Sequence, residues 1–229
     1  MAPKENLRQP GTAPLRLIVF DCDGTLVDSA ATIVACATEA FEGLGLAPPA
    51  PEAIRRIVGL SLAPAMGVLL GRDDPDTALA IAASYRDAFL RRREREGVVE
   101  PLFPGTRGLL DALGTRGVLL GVATGKSMRG LEAVLAAHDL GGRFVTLQTA
   151  DLHPSKPHPS MLEAAMREAG TGPDETMIVG DTTFDIDMGV SAGCVPVGVS
   201  WGNHGADELR ERGAVRVLQR FDELLDLLP

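Results

Sequence analysis

Hydrophobic and polar positions along the chain follow a repeated order of short apolar run, loop and stretch with helical spacing. The apolar runs have the length of buried strands, and the stretches between the later runs place apolar residues three or four positions apart. Strands that alternate with helices in this way predict an α/β fold, with a parallel sheet covered by helices on both faces. The predicted strands are Leu17–Phe20, Leu119–Ala123, Phe144–Gln148, Met177–Val179 and Val195–Val199.

One interval between the first two predicted strands breaks this order. From residue 29 to residue 100 no run of strand length occurs, and the apolar spacing is helical throughout. A parallel sheet does not easily accommodate such a long helical segment between two strands, so a separate helical insert is predicted. The expected organisation is a loose tail over residues 1–14, a core formed by residues 15–28 and 101–229, and an insert over residues 29–100.

Charge and composition exclude several kinds of partner. The 229 residues include 31 acidic and 22 basic side chains, for a net charge of −9, with seven Phe, one Tyr and one Trp. This balance disfavours nucleic acid, which needs positive charge and stacking surfaces. No apolar run approaches the roughly 20 residues of a membrane span, and the N-terminal segment lacks the apolar stretch of a signal peptide. We therefore expect a cytoplasmic protein without a membrane partner, as a monomer or a homodimer.

Cysteines and lysines are both few. Three widely spaced cysteines fit neither a disulfide framework nor a zinc site, so free thiols are expected. The lysines are Lys4, Lys126 and Lys156, against 19 arginines. Any reaction that needs a lysine therefore has very few candidates in this chain.

Two acidic residues directly follow the first predicted strand. Asp21 and Asp23 stand two positions apart, so both side chains can point into the crevice at the carboxyl end of a parallel sheet. Two carboxylates this close repel each other unless a cation or a shared proton lies between them. A turn that caps the next helix would need only one such residue, so a chemical role is favoured.

Three later motifs stand at the ends of strands or just beyond them. The segment Thr124-Gly125-Lys126-Ser127 presents a hydroxyl and backbone N–H groups at the start of a helix, which suits a phosphate. Lys156 lies in a proline-rich loop before a helix, and Asp181 and Asp185 follow the fourth predicted strand. Together with the first acidic pair, these carboxylates indicate a hard-cation site of the oxygen-ligand type that magnesium prefers.

Taken in order, these motifs resemble those of the haloacid dehalogenase superfamily of phosphohydrolases. The resemblance covers the chain from about residue 15 to the end, and it implies a Rossmann-like, doubly wound core with an inserted α-helical cap. The chain is most similar to the phosphoglycolate phosphatase-like branch, through Leu26–Ser29, Val58–Leu60 and Lys156–Pro159. The residues that carry the superfamily motifs are Asp21-Cys22-Asp23-Gly24-Thr25, Thr124, Lys156 and Gly180-Asp181 to Asp185.

The resemblance also implies a role for each motif residue. Asp21 would be the nucleophile that forms an aspartyl phosphate, and Asp23 would be the general acid and base. Thr124 and Lys156 would bind the phosphoryl oxygens as further catalytic residues. The implied metal is Mg²⁺, held by Asp21, the Asp23 carbonyl and Asp181. Asp185 would either bind the metal directly or contact the residues that bind it. The implied phosphate-binding residues are Asp21, Cys22 through its backbone N–H, Asp23, Gly24, Thr124, Gly125 and Lys156.

Other activities on related scaffolds fit the sequence less well. Dehalogenases lack an acid at the position of Asp23, whereas phosphonatases and sugar phosphomutases need a Lys or His in the cap, and residues 29–100 contain neither. A phospho-aspartate receiver module has about half this length, has no cap and must preserve its acyl phosphate. A thiol nucleophile at Cys22 and a non-catalytic binding protein are weaker alternatives, since every motif residue for hydrolysis is present.

The expected substrate is a small phosphorylated metabolite. The branch resemblance favours a phosphoglycolate-like acid, while sugar phosphates, nucleotides and pyrophosphate remain open. In the insert, the cationic side chains are all arginines. On the predicted helix 53–58 the apolar stripe centres near Ile54, so Arg55 flanks the stripe and Arg56 lies roughly opposite. Arg55 and Arg56 are therefore the predicted specificity residues.

Overall fold

A computed structural model describes residues 14–97 and 100–228, so the predicted tail lies almost entirely outside the described residues. Six strands form one sheet, in which every neighbouring pair is parallel. The strands are β1 (Leu17–Phe20), β2 (Leu119–Thr124), β3 (Thr146–Thr149), β4 (Thr176–Gly180), β5 (Val195–Val199) and β6 (Arg216–Leu218). Their order across the sheet is β3-β2-β1-β4-β5-β6.

Helices connect the strands and cover the sheet. Between β1 and β2 lie α1 (Ala30–Gly43), α2 (Pro51–Arg55), α3 (Leu62–Leu70), α4 (Pro75–Glu96) and α5 (Thr106–Thr115). After β2 come α6 (Met128–Ala137), α7 (Ser160–Ala169), α8 (Thr183–Ala192) and α9 (Ala206–Glu211), with short 3-10 segments at Pro173–Glu175 and Phe221–Leu227. None of the helices within the described ranges is long and apolar enough to cross a bilayer.

The two faces of the sheet bury different sets of helices. Ile18 and Phe20 of β1 pack in the apolar cluster that includes α5 and α6, whereas Leu17 and Val19 pack in the cluster that includes α7 and α8. This alternation follows from the two-residue period of a strand, and burial on both faces explains the continuous apolar run of β1. The predicted doubly wound α/β fold is confirmed.

Two details of the predicted sheet were wrong. The sixth strand, β6, was not predicted, because it has only three residues and begins with the exposed Arg216. The third strand begins at Thr146 rather than Phe144, and Val145 is exposed. The polar Gln148 is buried in that strand because its Nε2 donates to Thr146 Oγ1 and to Glu168.

Helices α1, α3 and α4 surround an apolar cluster of their own. Phe41, Met66 and Ile81 belong to this cluster and are nearly inaccessible to solvent. Local sequence sets the bounds of the longest helix: the Asp74 side chain accepts a hydrogen bond from Thr77 N and caps α4, whose first residue is proline. We call residues 30–96 the helical insert. Its identity as a distinct, mobile cap domain stays a prediction.

Sheet order places the site. β1 lies between β2 and β4, with Phe20 in register with Val122 on one side and Val179 on the other. The loops that follow these three strands therefore leave the sheet side by side at its carboxyl edge. Such an edge is where open α/β sheets bind ligands.

Candidate active site

The loop after β1 turns sharply and carries the first two acids. Leu26 N donates to Cys22 O and Gly24 N donates to Val27 O, which folds the loop back on itself. Gly24 adopts φ +88°, and a Cβ there would lie 2.3 Å from Asp181 Oδ2. Glycine is therefore required both for the backbone conformation and for the close approach of the Asp181 carboxylate. In this loop Asp21 is fully buried, and Asp23 is 8% exposed.

Lys156 brings two of the predicted carboxylates together. Its Nζ lies 2.9 Å from Asp21 Oδ1 and 2.6 Å from Asp185 Oδ1, and all three side chains are inaccessible to solvent. Burial alone would lower the pKa of Lys156, but Asp185 and Asp21 outweigh that effect and raise it above the usual range. Lys156 is therefore a fixed positive charge at the floor of the site.

Asp181 and Asp185 are held by neighbouring donors. Asn203 donates to Asp181 Oδ2 through both its backbone N and its Nδ2, each at 2.8 Å, and Thr25 Oγ1 donates to Asp181 Oδ1 at 2.9 Å. Thr182 donates to Asp185 Oδ2 through N and Oγ1. Burial and the Asp185 charge raise the pKa of Asp181 to about 6, although the Asn203 and Thr25 hydrogen bonds oppose the shift. Sequence reasoning did not assign Asn203 or Thr182 a role in the site.

The three buried carboxylates can accommodate a cation. Asp21, Asp181 and Asp185 each offer an oxygen within 4.8 Å of the others. Within the part of the chain that the structure describes, Asp21 Oδ2 is buried without a hydrogen-bond partner. Burial, with Asp185 and Asp181 adding to it, raises the pKa of Asp21 despite Lys156. Clustered oxygen donors with excess negative charge fit Mg²⁺. Asp23 is not part of this carboxylate cluster, so its predicted contribution is limited to the backbone carbonyl.

The loop after β2 supplies the predicted phosphate-binding residues and one more side chain. Thr124 is buried, and its Oγ1 accepts a hydrogen bond from Lys126 N. A Cβ on Gly125 would lie 2.5 Å from Leu60 O, so glycine lets the backbone of the helical insert rest on this loop. Lys126 Nζ lies 3.0 Å from Asp23 Oδ1. Lys126 was not among the predicted site residues, although the scarcity of lysine was a signal that could have found it.

A cavity of about 550 Å³ lies between the helical insert and this edge of the sheet. Asp23, Thr124 and Lys126 contribute to its core side, and Tyr85 and Phe89 of α4 contribute to its insert side. It opens directly onto the predicted phosphate-binding loop. The cavity thus combines apolar and aromatic residues of the insert with charged side chains from both sides.

The predicted specificity residues Arg55 and Arg56 do not line this cavity. The helical projection assumed a continuous helix over residues 53–58, but α2 ends at Arg55 and both arginines are exposed while Ile54 is buried. Arg56 Nη1 instead pairs with Glu208 on the outside of the molecule, at 2.6 Å. The arginines that line the cavity are Arg86, Arg93 and Arg129.

The surroundings of Cys22 and Trp201 favour a structural role for both residues. Burial, with the Asp23 charge adding to it, raises the pKa of the Cys22 thiol well above its usual value, so a thiolate nucleophile is disfavoured. Trp201 Nε1 donates to Thr25 O and its ring packs against Phe221. Trp201 therefore supports the loop after β1 from the core.

Comparison with known proteins agrees with this geometry. Residues 18–199 match the family model of haloacid dehalogenase-like hydrolases. The chain is 35% identical to a protein named probable phosphatase IndB from Dickeya dadantii, over 91% of each chain. It is 32% identical to a phosphoglycolate phosphatase from Pseudomonas putida, over 96% of this chain and 80% of the relative. The crystal structure of a hydrolase from Pseudomonas syringae superposes with a TM-score of 0.81 at 27% identity, over 93% of this chain and 97% of the other.

The match spans the whole sheet except β6 and includes all four motifs at the carboxyl edge. The relatives cover most of this chain and are covered by most of it, so the likeness concerns the complete fold rather than one segment. The chain therefore belongs to the haloacid dehalogenase-like hydrolase family, in which it is a phosphatase.

Proposed function

We propose that this phosphatase hydrolyses a small phosphate monoester in two steps, with Asp21 as the nucleophile. The observation that carries the proposal is the state of the Asp21 carboxylate. Its Oδ1 is held by Lys156, whereas its Oδ2 is buried without a hydrogen-bond partner among the described residues. An oxygen that is desolvated, oriented and unpaired suits attack on phosphorus.

The two steps form an aspartyl phosphate and then hydrolyse it. Asp21 Oδ2 forms a bond to phosphorus while the ester P–O bond breaks, and the departing alkoxide takes a proton from Asp23. Water then attacks the phosphorus of the aspartyl phosphate and gives a proton to Asp23. This step releases inorganic phosphate and restores the Asp21 carboxylate. Lys156 and Thr124 bind the phosphoryl oxygens, where negative charge is concentrated.

A divalent cation completes this scheme. Mg²⁺ would screen the carboxylates from the phosphoryl oxygens, held by Asp21, Asp181 and the Asp23 carbonyl, with Asp185 as a ligand or behind them. Lys156 occupies Asp185 Oδ1 and Thr182 occupies Asp185 Oδ2, which supports the more distant role for Asp185.

The proposed substrate is a phosphorylated small acid of the phosphoglycolate type. The Pseudomonas putida relative, named a phosphoglycolate phosphatase, supports this choice. The cavity supports it too, because several arginines line its wall. Sugar phosphates, nucleotides and pyrophosphate are the competing substrates in a screen.

The test combines a substrate screen with three matched variants. Asp21→Asn should lower kcat by roughly 10⁴-fold or more, because the amide keeps the shape but cannot attack phosphorus. Asp23→Asn should slow turnover and let the aspartyl phosphate accumulate for mass spectrometry. Asp187→Asn is the control, since Asp187 pairs with Arg212 outside the site and should leave kcat unchanged.

Two results would overturn the proposal. One is a phosphoryl group found on a residue other than Asp21 in the Asp23→Asn variant. The other is full activity of the wild type after exhaustive chelation of divalent cations, which would remove the metal from the scheme.

A further inference from the structure

Lys126 lies where the cavity meets Asp23. It belongs to the loop between β2 and α6, and only 9% of its side chain is exposed. Its Nζ lies 3.0 Å from Asp23 Oδ1 and 5.5 Å from the centre of the Phe89 ring on α4. Lys126 therefore contacts both Asp23, the proposed general acid, and the insert wall of the cavity.

The first turn of α6 leaves room for this side chain. A Cβ on Gly130 would lie 2.9 Å from Lys126 Cγ, so a larger residue at position 130 would force the lysine stem to move. Glycine lowers helix stability in such a position, which makes it costly unless space is needed. The chain thus accepts a weaker helix start and directs Lys126 toward the cavity.

Asp23 does not use all the binding capacity of Lys126. An ammonium group has three N–H donors, and Asp23 is its one carboxylate partner within 4 Å in the described ranges. Phe89 offers a favourable but non-directional surface on another side. Donors of Lys126 thus remain for a ligand in the cavity.

The surrounding charge favours an anionic ligand. Arg86, Arg93 and Arg129 also line the cavity, and none of them has a carboxylate within 4 Å among residues 14–97 and 100–228. The carboxylates in the lining are those of Asp23, which faces Lys126, and Asp151, which accepts a hydrogen bond from Met128 N. The cavity therefore carries more positive than negative charge, although the protein as a whole is acidic.

We propose that Lys126 is the specificity-determining residue of this site, and that its ammonium group binds a second anionic group on the alcohol side of the phosphate ester. The proposal rests on the phosphatase function above and narrows its substrates to monoesters with a carboxylate or another anion near the ester oxygen. Lys126 also orients Asp23, because the same ammonium group contacts the Asp23 carboxylate.

The experiment compares two esters that differ by one charge. 2-Phosphoglycolate and ethyl phosphate both release a two-carbon alcohol, and only the former carries a carboxylate. Lys126→Gln should lower kcat/KM for 2-phosphoglycolate at least about tenfold more than for ethyl phosphate, with the additional loss in KM. The loss shared by both esters measures the orientation of Asp23.

Two further variants separate charge from structure. Lys126→Arg keeps a cation and should retain part of the preference for 2-phosphoglycolate. Arg95→Gln removes an exposed charge of α4 that does not line the cavity, and should leave both substrates unaffected. If Lys126→Gln melts well below the wild type, the comparison is made with Lys126→Arg and Gly130→Ala, both of which should weaken the preference.

The outcomes distinguish this inference from the proposed function. Equal losses for the two esters, or a wild type that prefers ethyl phosphate, would overturn the role of Lys126 and leave the phosphatase function intact. A wild type that hydrolyses no phosphate ester with Mg²⁺ present would overturn the proposed function, and this inference with it.

Discussion

The floor of the site and the seam between the helical insert and the core both contain ion pairs, but in opposite environments. At the floor, Lys156 contacts Asp21 and Asp185 with no solvent access. At the seam, Arg56 pairs with Glu208 while about half of each side chain remains exposed, at 51% and 42%. Buried charges lose hydration and depend on their partners, whereas exposed pairs exchange one polar environment for another.

The floor and the seam therefore differ in how much charge they bury. Besides that ion pair, the seam includes hydrogen bonds of uncharged groups: Ser61 N donates to Ser155 Oγ, and His204 Nε2 contacts Arg56 O. The floor instead holds several charges that would each be costly alone. A protein selected for stability alone would not bury so many charges together, so the floor is explained by chemistry.

Loss of the floor cation should have the largest effect on stability. Lys156→Met leaves the carboxylates of Asp21 and Asp185 buried without their shared partner, and should lower the free energy of unfolding by about 3–5 kcal/mol near neutral pH. Chemical denaturation in the presence of a chelator measures this. Adding Asp185→Asn to the variant should recover part of the loss. If the free energy of unfolding of Lys156→Met alone lies within about 1 kcal/mol of the wild type, water must reach the carboxylates of Asp21 and Asp185.

Without a divalent cation, stability should fall as pH rises through the range in which Asp181 ionises. The pKa of Asp181 is raised to about 6 in the folded protein from a reference value of 3.8. The folded state thus holds this proton more tightly, and the resulting stabilisation is complete below pH 3.8 and lost as pH passes 6. Asp181→Asn should reduce the decrease between pH 4 and 7, by on the order of 2 kcal/mol.

Unfolding curves at several pH values with chelator present measure this dependence. If the wild type and Asp181→Asn have parallel profiles, Asp181 is not the titrating group. Saturating Mg²⁺ should flatten the decrease in the wild type, because the cation favours the ionised carboxylates.

The smallest effect is expected at the seam. Arg56→Ala removes an exposed ion pair with Glu208 and should leave the melting temperature and kcat/KM close to those of the wild type. Thermal melting and steady-state kinetics at low salt provide the measurement. A large rise in KM would indicate that Arg56 moves into the cavity when substrate binds, which would restore the original hypothesis for this residue.

Local sequence was sufficient for most of the fold. Strands β1, β2, β4 and β5 were predictable because each is largely a run of apolar residues, and the helical insert because no such run occurs between Ser29 and Glu100. β6 was not predicted because a strand of three residues is too short to show a period of apolar and polar positions. The start of β3 was misplaced because Phe144 and Val145 are apolar but precede the strand, and Val145 is exposed.

The site divides in the same way. Asp21, Asp23, Asp181 and Asp185 stand at strand ends, so the sequence alone brings them to one edge of the sheet. The direction of a side chain in the helical insert depends on how a short helix packs, which local sequence does not reveal, and neither Arg55 nor Arg56 lines the cavity. Local sequence therefore predicts the chemistry of this protein better than its specificity.

The central position of β1 also affects how the protein is synthesised. The strand that leads into Asp21 is made first, but its neighbours are residues 119–124 and 176–180. Until both have left the ribosome, β1 has two unpaired edges, and such edges favour association with other chains. A nascent chain stalled before residue 176 lacks β4 and Asp181, and should therefore have no phosphatase activity. Asn203, which donates to Asp181, emerges later still. Most of the chain must therefore be synthesised before the site can form.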